Sequence, residues 1–176
     1  LRDDALWHDG EPFTVDDAVW SFHKVCKAGQ GVWSAGMASV VGYQEYVDGT
    51  ADTISGLTTD GSKIIFTLAA ADRVFVSNIC NTRMLPKHRL ENVADENLLT
   101  DEAFWSKPIG TGCYKIDTVS FPDYCTITAF EDYYGPQPGV KEMLFTNYNA
   151  GGNDAVTAAL IAGDLDFAYG NAVNDI

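Results

Sequence analysis

Residues 15–28 impose the strongest local constraint in the chain. Val15, Ala18, Val19, Phe22, Val25 and Cys26 recur at three- and four-residue intervals, the period of one helix face. The spacing predicts an amphipathic helix from about Val15 to Ala28. Its ends are as plain as its face: Thr14 is the cap and Asp17, three residues on, completes a capping-box-like pair. Phe13 and Ala18 stand at the hydrophobic-staple positions, and Gly29 stops the helix.

The rest of the chain alternates short helices with short strands. The glycine-punctuated stretch Gln30–Ala51 predicts one or two helical turns with Tyr43, Tyr46 and Val47 on a common face. Ile54–Leu57 and Lys63–Leu68 read as a hairpin across Thr58-Thr59-Asp60-Gly61-Ser62, because Ile64, Phe66 and Leu68 alternate with polar or exposed positions. Phe75–Cys80 predicts a short helix, Arg83–Pro86 an extended run, and Glu96–Trp105 another short helix that Pro108 breaks. Tyr114–Val119 and Cys125–Phe130 read as a second hairpin, turned by Ser120-Phe121-Pro122-Asp123.

The last segment reads as a βαβ unit. Glu142–Tyr148 is the first strand, Asn153 or Asp154 caps a helix carrying Val156, Ala159 and Leu160, Gly163 ends it, and Leu165–Tyr169 is the second strand. Such strands should be parallel and the crossover right-handed, with ligands beyond the strand C-termini. That places Tyr169, Gly170 and Asn171 at a cleft edge. The fold class is α/β, a mixed sheet with helices.

A chain of 176 residues with 46% hydrophobic content is long enough to bury roughly two thirds of its unfolded surface. Eleven Lys plus Arg against 25 Asp plus Glu give a net charge of −14, which argues against binding nucleic acid or anionic lipid through the overall field. There is no apolar run of about 18 residues to span a bilayer. Leu1-Arg2-Asp3-Asp4 is not a signal peptide, so an export signal is expected upstream, in a longer parent.

Catalytic and metal motifs are missing from the sequence. Cys26, Cys80, Cys113 and Cys125 form no Cys-x-x-Cys pair and no zinc spacing with His8, His23 or His88. The cysteines read as buried free thiols, with a disulfide between distant ones left open because export permits it. His8, Asp9 and Glu11 admit the reading of a secreted metal-dependent hydrolase, which the absence of a His-x-x-x-His pair disfavours. Gly110-Thr111-Gly112 lacks the Lys-Ser/Thr of a phosphate loop and leads into a strand, so it reads as a tight backbone crossing.

Three separated stretches occur in a familiar order: Trp7-His8-Asp9-Gly10-Glu11-Pro12-Phe13-Thr14, Pro108-Ile109-Gly110-Thr111-Gly112-Cys113-Tyr114 and Gly163-Asp164-Leu165-Asp166-Phe167-Ala168-Tyr169. With Ile54–Leu68, Leu85-Pro86-Lys87-His88 and Asp132-Tyr133-Tyr134-Gly135, they resemble the family 5 extracellular solute-binding proteins, the peptide and nickel receptors of ABC importers. Cys113 stands where that family usually has proline, and Tyr134 where it has tryptophan.

The resemblance implies part of lobe I of a two-lobed periplasmic-binding-protein type II-like fold. Residues 1–108 would be the peripheral subdomain of the first lobe, lacking its N-terminal part, and 109–176 a returning segment of the lobe's core sheet, with the second lobe absent. It implies a non-enzymatic protein without cofactor or resident metal, which captures peptides and delivers them to an ABC permease in the membrane. A nickel or metal-chelate receptor is the alternative within the family. The protein would sit outside the cytoplasmic membrane, lipid-anchored or periplasmic, and the piece alone would expose sheet edges through which it dimerises.

The ligand residues implied are Trp33, as an aromatic facing the cleft, and Arg83 with Asn81, near the ligand in relatives; Tyr169 and Asn171 are added from the strand-end argument. Each has a plainer competitor: a core tryptophan, a surface arginine, or packing at the hinge.

Overall fold

The computed structural model describes residues 1–29, 31–147 and 151–168. The first helix, α1 (Val15–Lys27), forms as its sequence dictates. Thr14 Oγ1 accepts the Asp17 N–H at 3.2 Å, and the Asp17 carboxylate accepts the Thr14 N–H at 2.9 Å, closing the capping box. Gly29 at φ +64° ends the helix through the left-handed region that only glycine enters freely. Its stripe of Phe22, Val25 and Cys26 is buried.

Two short helical elements, α2 (Gly31–Ser34) and a 3-10 turn (Ala35–Ser39), lead to α3 (Tyr43–Val47). Tyr46 is buried and Tyr43 packs against the core, but Val47 is exposed, so the expected three-residue face is two residues wide. The first hairpin pairs β1 (Leu57–Asp60) with β2 (Lys63–Phe66). Leu57 stands opposite Phe66, which draws Thr58, Thr59 and Asp60 out of the expected loop into the ladder. Gly61 takes φ +58° in the two-residue turn that remains, as hairpin turns of this length demand. Phe66 meets Phe22 and Phe75 edge-on, each at 5.3 Å, joining β2 to α1 and to α4 (Phe75–Ile79).

Residues 82–86 run extended into α5 (Lys87–Leu90), a turn of helix the sequence reading did not anticipate. The single helix expected over Glu96–Trp105 is two pieces, a 3-10 turn (Asp95–Asn97) and α6 (Glu102–Trp105). Asp101 breaks it, because its carboxylate caps a fresh helix by accepting the Phe104 N–H at 2.8 Å. Leu85, Leu90, Leu98 and Phe104 complete the core around α1.

A second body of structure is the antiparallel sheet β3 (Tyr114–Ser120), β4 (Tyr124–Ala129) and β5 (Glu142–Thr146). Across it Val119, Cys125 and Phe145 align, with Ile116, Ile127 and Met143 beside them. Phe145 is 53% exposed, and Phe121 at the hairpin tip is 92% exposed.

The helix α7 (Gly152–Ala162) follows and ends at Gly163, φ +80°. Its cap is Gly151, earlier than expected, which places Asp154 not at the cap but in the first turn, where its charge complements the helix dipole. The βαβ expectation fails in its second half. Residues 165–168 form no strand: the N–H groups of Asp164 and Leu165 bond back to Ala159 O at the end of α7, and Phe167 is 74% exposed. The ladders among the described residues are all antiparallel. Tyr169, Gly170 and Asn171 lie outside the described residues.

The four thiols are unpaired, and they do not share one environment: Cys26 is buried, Cys113 and Cys125 are half-buried, and Cys80 is exposed. Only Cys26 matches the expected buried thiol, because it alone lies on a core-facing stripe.

Two outcomes follow. Ser21 Oγ accepts the Leu85 N–H at 2.8 Å with no exposed surface, so Ser21→Ala should lower stability by about 1–3 kcal/mol, read as a lower urea midpoint at unchanged slope. Burial pushes the Cys26 thiol up to about 12, so at pH 8 iodoacetamide should label Cys80 well before Cys26, as peptide mapping would reveal.

Candidate ligand-binding site

The extended run 82–86 is held at three points. Thr82 Oγ1 donates to Trp33 O at 2.6 Å, the Leu85 N–H donates to Ser21 Oγ, and the Lys87 N–H reaches Asp17 Oδ1 at 3.4 Å. Arg83 and Met84 are carried between these anchors, beside α2 and α6.

A groove of about 250 Å³ lies there. Trp33 and Arg83 line it together, facing Trp105, Pro108 and Ile109. Trp105 is half-buried and oriented by its indole N–H, which donates to Leu98 O at 2.7 Å; the buried Phe104 ring meets it edge-on at 5.0 Å. The walls are apolar and aromatic, with one guanidinium. Arg83 is exposed and has no ion pair among the described residues. An unneutralised guanidinium at the rim of an aromatic groove suits an anionic, planar group such as a carboxylate, with an apolar portion against the indoles.

The structure therefore brings together two of the five residues chosen from sequence. Asn81 is exposed, outside the groove lining, and its amide donates to Ser77 O at 3.2 Å, one turn back on its own segment. Tyr169 and Asn171 lie outside the described residues. Sequence reading missed Trp105, Pro108 and Ile109. The available signal was the pair Phe104-Trp105 ahead of Pro108, since a one-turn helix cannot bury both rings.

A larger concavity, about 480 Å³, lies against Asp123, Tyr124, Leu144, Thr146 and Asn147. It is open sheet surface without an inward-directed cation, and Leu144 in its floor is 61% exposed. The smaller groove has the more specific chemistry.

The hydrolase constellation does not assemble. Both ring nitrogens of His8 are bound to backbone, Nδ1 accepting the Gly110 N–H at 3.1 Å and Nε2 donating to Gly112 O at 3.0 Å. Asp9 is paired with His88 Nε2 at 2.9 Å and lies 3.7 Å from Arg89. Among the described residues no three His, Cys, Asp or Glu side chains gather at metal-binding distance. The turn that carries His8 is closed by the Trp7 N–H to Glu11 O at 2.8 Å and the Gly10 N–H to Trp7 O at 2.9 Å.

The model of the family described as bacterial extracellular solute-binding proteins, family 5 Middle, matches residues 1–176. A Brucella ovis protein named as an ABC transporter peptide-binding protein is 31% identical over 98% of this chain and 30% of its own length. Among solved structures, NikZ from Campylobacter jejuni in complex with Ni(L-His) superposes with a TM-score of 0.74 at 27% identity, covering 94% of this chain and 30% of that one. Lactococcal OppA, complexed with an endogenous peptide in the closed conformation, superposes with a TM-score of 0.81 at 24% identity, over 94% of this chain and 32% of that one, a likeness of fold. The chain thus spans about a third of the length of the proteins it matches.

The Thr82 anchor is open to test. Thr82→Val removes the donor to Trp33 O and should destabilise the protein by about 1 kcal/mol. Freed from that bond, α2 should expose Trp33 further, measurable as stronger acrylamide quenching that Trp33→Phe abolishes.

Proposed function

The chain belongs to family 5 of the bacterial extracellular solute-binding proteins, and from that premise we propose that it is part of the first lobe of a receptor that captures peptides and hands them to an ABC permease. The observation that carries this reading is the groove in which Trp33 meets Arg83, which has no ion pair among the described residues. Arg83 would grip a ligand carboxylate bidentately, and Trp33 and Trp105 would take apolar side-chain area. Binding needs no covalent step, and the protein works by capture and closure rather than catalysis.

Residues 1–108 would be the peripheral subdomain and 109–176 a returning part of the lobe's core sheet. The remaining contacts to ligand would come from a second lobe, and closure between lobes would exclude water and present a joint surface to the permease. The receptor would act outside the cytoplasmic membrane, free in a periplasm or lipid-anchored. Among the described residues no helix is long and apolar enough to cross a membrane. Taken alone, the 176-residue chain would leave the Val119, Cys125 and Phe145 face uncovered and would self-associate through it.

Capture of nickel or a metal chelate is the second reading, favoured by the likeness to NikZ. Peptide ranks above it because the Brucella ovis relative, more similar in sequence, is named for peptide binding.

The test is native mass spectrometry of the intact protein purified without denaturation, followed by calorimetry with the peptides it releases. A heterogeneous ladder of short peptides is expected, and Arg83→Ala and Trp33→Ala should each weaken their binding at least about tenfold, or about 1.4 kcal/mol. A single chelate mass would replace peptide as the cargo. Unchanged affinity in both variants would remove the groove from the site.

A further inference from the structure

We propose that His8 is an acid-sensitive clasp that positions one wall of the groove, its neutral imidazole gripping Gly110 and Gly112 and letting go of the Gly110 N–H when protonated. The functional consequence rests on the groove being the ligand site; the clasp itself stands on geometry alone.

The ring's protonation state is fixed by its partners. A carbonyl cannot donate, so Nε2, 3.0 Å from Gly112 O, must bear the proton. An amide N–H cannot accept, so Nδ1, 3.1 Å from the Gly110 N–H, must be bare. An imidazolium has a proton on both nitrogens and would set N–H against N–H at Gly110. The His8 backbone N–H also donates to Gly110 O at 2.9 Å, so both peptide groups of Gly110 are tied to residue 8. A Cβ at Gly110 would meet His8 Cε1 at 3.6 Å, an ordinary contact, so the ring lies directly against this crossing and the glycine is not demanded by space.

Pro108 and Ile109 immediately precede Gly110, and both line the groove. Phe130 stands edge-on to the imidazole at 5.1 Å, itself fixed by its N–H to Cys113 O at 2.9 Å. Protonation therefore loosens Gly110 at its N–H, on the groove side, while its carbonyl stays bonded to the His8 N–H and the sheet side stays anchored.

The charged groups facing the ring are Lys115, which disfavours its protonation, and Asp9, which favours it. Asp9 is shared with His88 and Arg89, which spends much of its charge elsewhere. Desolvation dominates and holds His8 below the ordinary histidine range. The sign follows: with the folded value depressed, the clasp's stabilisation is complete above about pH 6.5, the unfolded value, and is lost as pH falls below that toward the folded value.

His23 makes a similar pair of backbone bonds, Nδ1 to Val19 O at 2.8 Å and Nε2 accepting the Ile54 N–H at 3.2 Å, so global acid unfolding would not isolate His8. A residue-resolved titration does.

In the intact protein, labelled with 15N at histidine and glycine and with 13C at isoleucine methyls, NMR should find His8 as the Nε2–H tautomer with a midpoint below about 6.5. The Gly110 amide and the Ile109 methyl should shift with that same midpoint. His8→Gln, which offers a donor and an acceptor but does not titrate, should remove the step from both signals. Gly110 and Ile109 signals that stay constant, or that move with a midpoint other than that of the His8 ring, would overturn the proposal, as would an Nδ1–H tautomer. The wild-type titration decides the matter even if the variant fails to fold. Failure of the groove reading would appear separately, as unchanged peptide affinity in the Trp33 and Arg83 variants.

Discussion

Everything near the groove depends on a short polar ladder down one side of α1. The Asp17 carboxylate closes the cap at Thr14 and reaches the Lys87 N–H, and one turn later Ser21 takes the Leu85 N–H. Both are buried. An extended segment has no hydrogen bonds of its own, so packed against a helix it must find partners on that helix or leave buried groups unsatisfied. α1 supplies those partners at spacing four along its length, and the run 82–86 is thereby fixed in register against it. Without the ladder the apolar stripe of α1 would still bury itself, but Arg83 would have no defined place.

Specific polar contacts join the two bodies of the structure. His8 binds Gly110 and Gly112, and Arg2 lies 3.7 Å from the centre of the Tyr134 ring. This second contact uses the position where the family usually has tryptophan, and tyrosine provides the same flat face for the guanidinium. The helical body has its own core around Phe22, Val25 and Met37, whereas the sheet keeps an apolar face partly in solvent. That imbalance agrees with a chain about a third as long as its relatives.

What was legible from sequence is what short-range physics decides. The cap, stripe and stop of α1 lie within one turn of one another, and the two hairpins announce themselves by alternation and a turn. Elements whose form depends on a distant partner were misread. The strand expected over Leu165–Tyr169 needed a neighbour to pair with, and at its start the N–H groups of Asp164 and Leu165 bond instead to Ala159 O at the end of α7. The helix over 96–105 looked continuous because nothing in its periodicity says that Asp101 will cap rather than continue. At the candidate site, Trp33 and Arg83 came from family resemblance, and the fold places them in one groove; Trp105 was invisible because burial of Phe104 decides which of two adjacent rings is left to line that groove.

The wiring of residues 82–87 has a consequence for how the groove can diverge. The bonds that locate this segment run through the Thr82 hydroxyl and through the backbone of Leu85 and Lys87, while the side chains of Arg83 and Met84 take no part in them. Placement and chemistry are thus assigned to different atoms. The groups at 83 and 84 can be exchanged, from cation to neutral or from thioether to aromatic, and the chemistry of the groove rewritten, while the scaffold beneath keeps every one of its anchors unaltered.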